Sequence, residues 1–296
     1  MPFGLPDEQR ERRLTYGGYL KVGELTALQE LLSDPPQHDE TLFIIIHQVY
    51  ELWFKQLLHE IDTLVERLNA DEVLGALRLL RRCVEIQRVL ISQVAVLETM
   101  TPVDFLAFRD HLTPASGFQS AQFREIEFVS GLKNPRFLAH YEEGSPERER
   151  LAARLAGATV SEAFYGLLRR RGFDLPEESG EGNDEQARER RVRELLRIYQ
   201  EMERHYDLFL LTESLIDYDE QFTLWRLRHV AMVERMIGSK PGTGGSPGAS
   251  YLKSTVERKF FPELWEMRSY LGKQAGATDL PAGVAQATLS PATRLV

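Results

Sequence analysis

The chain has 296 residues, 43% of them apolar and 27% charged, a balance that suits a globular fold and excludes collagen-like, disordered and membrane-spanning classes. With 36 Lys and Arg against 45 Asp and Glu, its net charge of -9 repels a phosphate backbone, so nucleic acid is not an expected partner. The one cysteine, Cys83, can form neither an internal disulfide nor a thiolate zinc site, which fits a reducing compartment and leaves histidine or carboxylate for any metal.

The first residues, MPFGLPDEQRERR, mix acids and bases without an apolar run, unlike a secretory signal, so the expected location is the cytoplasm. A tyrosine-bearing stretch, LTYGGYL at 14–20, follows. Apolar residues then recur at helical spacing over 41–68, 71–98, 161–171, 183–214, 223–237 and 255–271, while alternating strand patterns are scarce. The pattern predicts an all-α helical bundle over 1–296, with residues 1–33 ahead of the first long helix and a loosely held tail over 273–296, and leaves open whether it is one domain or two. His38-Asp39-Glu40 marks a helix start, Asn69-Ala70-Asp71 separates the first two helices into an antiparallel hairpin, and Thr101-Pro102 ends the second. The most apolar run, 43–54, is broken by His47, Gln48 and Glu51, well short of the roughly 20 residues a membrane helix needs. Two stretches interrupt the helices: PEESGEGNDE at 176–185, expected as a solvated connection, and GSKPGTGGSPGAS at 238–250.

Seven histidines are available, His38, His47, His59, His111, His140, His205 and His229. The residues three before each are Pro35, Ile44, Gln56, Phe108, Phe137, Met202 and Arg226, so the Glu-x-x-His pairs of a di-iron carboxylate bundle are absent. His59-Glu60 is followed by Thr63 where a zinc protease motif needs histidine. What remains are single histidines on apolar faces. His229 shares its face with Trp225, Met232 and Met236, and His47 shares one with Phe43, Tyr50 and Phe54. A hydrogen-bonded core histidine satisfies either pattern, and so does an axial haem ligand in an apolar slot. The 238–250 loop fails both phosphate-loop templates and reads as a lid or a plain linker. In FRDHLTPASGFQSAQFRE at 108–125, Arg109 or Arg124 suits a bidentate carboxylate clamp, against a bland reading as surface arginines beside a capped helix start.

Four separated stretches, LTYGGYL, HDETLFIIIHQVYELWFKQLLHE, FRDHLTPASGFQSAQFREIE and LWRLRHVAMVERMIGSKPGTGGSPGASYL, together resemble the tryptophan 2,3-dioxygenase family from about residue 14 to 271. The resemblance implies haem b as cofactor, ferrous when active, with His229 as axial ligand. It implies that Phe43 and His47 line the distal pocket, His47 bonding the indole N–H as the catalytic histidine, with Phe105 as an aromatic wall. Arg109 would take the substrate carboxylate, Thr243 its ammonium group, and Ser116 would lie near the distal ligand. Tyr16 and Tyr19 would belong to an arm reaching a neighbouring subunit's site in a homotetramer. The implied reaction joins L-tryptophan and O2 to give N-formyl-L-kynurenine, the first step of the kynurenine route. Two positions depart from the family's pattern: Pro247 stands where serine is usual in the glycine loop, and Val94 where some relatives carry an aromatic. A haem sensor or carrier without turnover and a haem-free interaction protein are the rival classes.

Overall fold

The computed structural model describes residues 14–176, 185–245 and 248–272; the start of the arm, residues 177–184 of the acidic connection, Pro247 and the tail 273–296 lie outside the described residues. All regular structure among the described residues is helical. Two short helices, α1 (Tyr16–Leu20) and α2 (Val22–Leu25), precede α3 (His38–Asn69). In α3, Phe54, Leu57, Leu58, Ile61, Leu64 and Leu68 recur every three or four residues and all are buried, while Asp39 and Glu40 in its first turn and Arg67 in its last complement the helix dipole. Three residues later α4 (Val73–Leu97) begins. Tyr50 Oη donates to Leu90 O at 2.7 Å and Arg82 reaches Glu60 at 2.8 Å. Partners fall along α4 as residues rise along α3, which is the expected antiparallel hairpin.

Thr101 closes α4's exit and caps α5 (Pro102–Arg109) through a reciprocal box with Asp104. There follow α6 (Ala121–Ser130), capped by Ser120, then α7 (Pro146–Ala156) and α8 (Val160–Arg170). The remaining helices are α9 (Glu185–Gln200), α10 (Tyr206–Ile237), α11 (Ala249–Lys253) and α12 (Pro262–Glu266).

The structure corrects the sequence reading at two places. The helix expected over 183–214 breaks after Gln200, and α10 then runs without interruption through 215–222, where a gap was expected. Within that stretch Tyr218 and Asp219 are fully buried. The Asp219 carboxylate accepts from the backbone N–H groups of Phe260 and Phe261, at 3.1 and 3.2 Å, and from Trp265 Nε1 at 2.9 Å. The helix expected over 255–271 is instead α12 and a single 3₁₀ stretch, Met267–Tyr270, because Phe261 precedes Pro262 and is held outside helical geometry at φ -129, ψ 63.

A main core fills the space between α3, α4, α8, α9, α10 and α12. A smaller cluster, Ile46, Leu97, Met100, Phe108 and Met236, lies where α3, α4, α5 and α10 meet, and Phe43, Tyr50 and Phe105 pack against it. The site lies at this end. Among the described residues no single helix is long and apolar enough to cross a membrane.

Candidate active site

One cavity, of about 290 Å3, opens at the smaller cluster, with Phe43, His47, Phe105, Arg109, Ser116, Thr243 and His229 all on its wall. The fold thus brings together seven of the nine site residues that the family resemblance implies. Tyr16 and Tyr19 are elsewhere: they sit on α1 with 80% and 70% of their surface exposed and touch no part of this cavity.

The apolar faces read from helical spacing form opposite contributions to the chamber. From α3, Phe43 packs on the His47 ring at a centroid distance of 4.1 Å and on Phe105 at 5.6 Å. From α10, Trp225 lies nearly parallel to His229, their centroids 5.0 Å apart. Val94, the residue that departs from the aromatic of some relatives, is buried in the cavity wall beside Leu97 and Met100.

The two histidines differ in their bonding. His47 Nδ1 lies 2.7 Å from Phe43 O, and since a carbonyl only accepts, Nδ1 carries the proton and Nε2 keeps its lone pair. Burial holds the His47 imidazole below its ordinary range, against the backbone bond and Glu51, which favour the cation. His229 is surrounded by protein except where its ring meets the cavity, and burial, with His47 nearby, lowers it to about 4. It is a neutral imidazole at physiological pH, and neither nitrogen is hydrogen-bonded among the described residues.

The glycine loop lies against this chamber. Thr243 Oγ1 donates to Ala115 O at 2.6 Å, and Arg109 Nη2 donates to Pro241 O. Two glycines permit the approach: a Cβ at Gly244 would stand 2.7 Å from Ser116 Cβ, and Gly248, at φ +64, would put one 2.6 Å from Lys240 O. The loop therefore folds over the cavity as a lid would.

Arg124, the alternative clamp, is no surface residue. It is 6% exposed, pairs with Glu127 at 2.5 Å, and lies over the Phe137 ring at 4.2 Å. Glu127 also takes Arg226 at 3.0 Å. Sequence reading missed this buried triad, together with Glu51, Ser120, Tyr251 and Thr255 on the cavity wall. Glu51 was legible only as a residue one turn beyond His47.

Fold and cavity together define an all-α protein with an aromatic chamber for a small molecule, polar only at a few points. The sequence model of the tryptophan 2,3-dioxygenase family matches residues 5–174 and 180–271. A tryptophan 2,3-dioxygenase from a Nocardioides species is 48% identical over 265 residues, covering 88% of this chain and 95% of that protein. Others, from Herpetosiphon aurantiacus and Xanthomonas euvesicatoria, are 48% and 40% identical, covering 87% and 92% of this chain and 98% and 94% of theirs. The chain belongs to the tryptophan 2,3-dioxygenase family, and is an oxidoreductase of the dioxygenase type.

Proposed function

We propose that the cavity binds haem b through His229 and L-tryptophan beside it, and that the chain inserts both atoms of O2 across the indole 2,3 bond to give N-formyl-L-kynurenine. The observation that carries this reading is the convergence of two histidines from separate helices, with Arg109 and Thr243, on one aromatic cavity. The residues present suit the cofactor. His229 offers an unprotonated imidazole without a competing hydrogen bond, and the walls are apolar and polarizable. The buried Nε of Arg124, on a residue of the cavity wall, has no partner among the described residues and suits a cofactor carboxylate. Haem, when bound, supplies the oxygen chemistry; the protein supplies position and electrostatics.

Each polar group has a task fixed by its present bonding. With Nδ1–H committed to Phe43 O, His47 Nε2 is an acceptor, and the indole N–H is a donor only. Indole is far too weak an acid for imidazole to deprotonate, so His47 orients the ring rather than removing its proton. Thr243 spends its hydroxyl proton on Ala115 O and keeps oxygen lone pairs for an ammonium group. Arg109 offers a guanidinium fork to the carboxylate.

His47→Ala is expected to retain turnover at about a tenth of the wild-type rate, since one hydrogen bond contributes roughly 0.5–1.5 kcal/mol. Complete inactivity with normal haem and normal tryptophan binding would restore proton abstraction. The pH dependence has a defined sign: because burial lowers His47, tryptophan affinity should hold down through pH 6.5 and fall only at more acidic pH, when Nε2 gains a proton and ceases to accept. The alanine variant should lack that acid limb.

The arm supports an assembly proposal. Residues 28–33 are tied to α3, with Gln48 bridging Gln29 and Leu28 O, and Glu40 accepting from the N–H groups of Leu32 and Ser33 at 2.7 and 3.1 Å. Beyond that anchor Leu14, Tyr16 and Tyr19 are 76%, 80% and 70% exposed, so three large apolar groups project from a held stalk. A neighbouring subunit in a homotetramer covers them in this reading, which places Tyr16 and Tyr19 at its site. Deleting residues 1–20 should lower both the mass measured by light scattering and the affinity for tryptophan while haem stays bound. A truncated protein that remains tetrameric and binds tryptophan normally would remove the arm from the site. The enzyme is placed in the cytoplasm, where the buried thiol of Cys83 stays reduced.

The reading as a whole is tested by adding L-tryptophan and air to the ferrous, haem-loaded protein. Oxygen uptake with growth of the N-formylkynurenine absorbance is expected; a haem spectrum without turnover would favour a sensor or carrier.

A further inference from the structure

Glu51, like the buried Glu40 and Asp219, is held by neutral donors rather than by an arginine. Glu60, Glu125 and Glu127 each pair with arginine, at 2.8, 3.0 and 2.5 Å. Glu51 is half-buried on the cavity wall, and among the described residues its carboxylate meets neutral donors alone: Ser120 Oγ at 2.6 Å and Gln122 Nε2 at 2.7 Å. Gln122 Nε2 also donates to the backbone carbonyl of Glu51, at 3.0 Å. With no arginine partner, its two acceptor oxygens are taken by the Ser120 hydroxyl and the Gln122 amide.

What those oxygens hold is the turn on which the glycine loop rests. Ser120 Oγ, while donating to Glu51, accepts from Phe123 N–H at 3.2 Å and so caps α6. Back along the chain, Ser120 N–H bonds Gly117 O at 3.2 Å, and Gln119 bonds Ser116 in both directions, backbone to backbone at 2.9 Å and side chain to Ser116 N–H at 3.1 Å. On its far side the same turn meets the loop, through Thr243 Oγ1 on Ala115 O and Gly244 against Ser116. The segment 115–122 is thus clamped between α3 and the glycine loop, and Glu51 is the clamp's fixed jaw.

We propose that Glu51 is a positioning residue for the ammonium end of the substrate: through Ser120 and Gln122 it sets the height of Ala115 O, and Ala115 O sets where the Thr243 hydroxyl points its lone pairs. The proposal rests on the assignment of Thr243 to the ammonium group. It predicts an effect confined to one end of the ligand, since Arg109 reaches the cavity from α5 and bonds Pro241 O without using this turn.

The test compares L-tryptophan with indole-3-propionate, which lacks the ammonium group, and tryptamine, which lacks the carboxylate, as competing ligands of the haem-loaded protein. In Glu51→Ala the preference for tryptophan over indole-3-propionate should fall about tenfold, the effect of one misplaced charge-assisted bond, while the preference over tryptamine stays at its wild-type value. Glu51→Gln, which keeps one acceptor oxygen and the side-chain length, should lose less and secures the comparison should the alanine variant fold poorly. The double variant Ser120→Ala, Gln122→Ala should reproduce Glu51→Ala, and adding Glu51→Ala to it should cost nothing more. Equal loss of both preferences, unchanged preferences in the variants, or further loss in the triple variant would overturn the proposal. A wild-type protein that binds tryptophan and indole-3-propionate equally would overturn the Thr243 assignment itself, which separates the two failures.

Discussion

His229→Ala is expected to yield a folded protein that no longer retains haem. His229 sits on the cavity-lining face of α10, where its neighbours Trp225, Met232 and Met236 offer no comparable ligand, and among the described residues no group of three His, Cys, Asp or Glu gathers that could hold a metal ion without the macrocycle. Its imidazole is held neutral by burial, so coordination needs no proton release, and removing it leaves no imidazole on that face of the cavity. The check is haem stoichiometry and the Soret spectrum of the purified variant, before and after addition of free imidazole, which should restore part of the binding. Wild-type stoichiometry with an unchanged spectrum would remove His229 from the axial position.

Arg109→Leu is expected to weaken L-tryptophan binding by about a hundredfold with haem content intact. A bidentate charge pair lost from a partly closed pocket costs about 3 kcal/mol, more than a single neutral bond, because the carboxylate is left without a counter-charge. Part of any loss comes through the loop, since Arg109 now holds Pro241 O. Tryptamine separates the two contributions: a ligand without a carboxylate feels the loosened loop but not the missing fork. The variant's preference for tryptophan over tryptamine should therefore collapse, and retention of the wild-type preference would show that the carboxylate is held elsewhere.

The long helices were legible because their apolar residues keep one period over many turns; α3 and α4 match the sequence reading within three residues at each end. Legibility failed where a polar residue is buried for a tertiary reason. Asp219 breaks the apolar pattern of α10, and only the N–H groups arriving from Phe260, Phe261 and Trp265, some 40 residues later, make its burial favourable. Short helices such as α5 and α7 give too few turns for periodicity, although the Thr101 and Ser145 caps, each followed by proline, mark their starts. In the site, the aromatic face around each histidine could be counted from spacing, whereas the choice between a core imidazole and a ligand could not, because it depends on what lies across the cavity. Glu51 carries no local signal for its role, and Arg124 shows in the sequence only as a possible carboxylate clamp. The role of Glu51 comes from Ser120 and Gln122, 69 and 71 residues away, which the fold alone brings together; Arg124 pairs with Glu127 one turn on along its own helix, and the fold adds the Phe137 ring and Arg226 beside Glu127.

The most direct test of the central claim is the fate of isotopically labelled O2 in a reaction of the ferrous, haem-loaded protein with L-tryptophan in unlabelled water. Mass analysis of freshly formed N-formyl-L-kynurenine should find both oxygen atoms of one O2 molecule in the product, one on each carbon of the cleaved indole 2,3 bond. Product carrying label in only one of those positions, or unmodified tryptophan with no oxygen consumed, would contradict it.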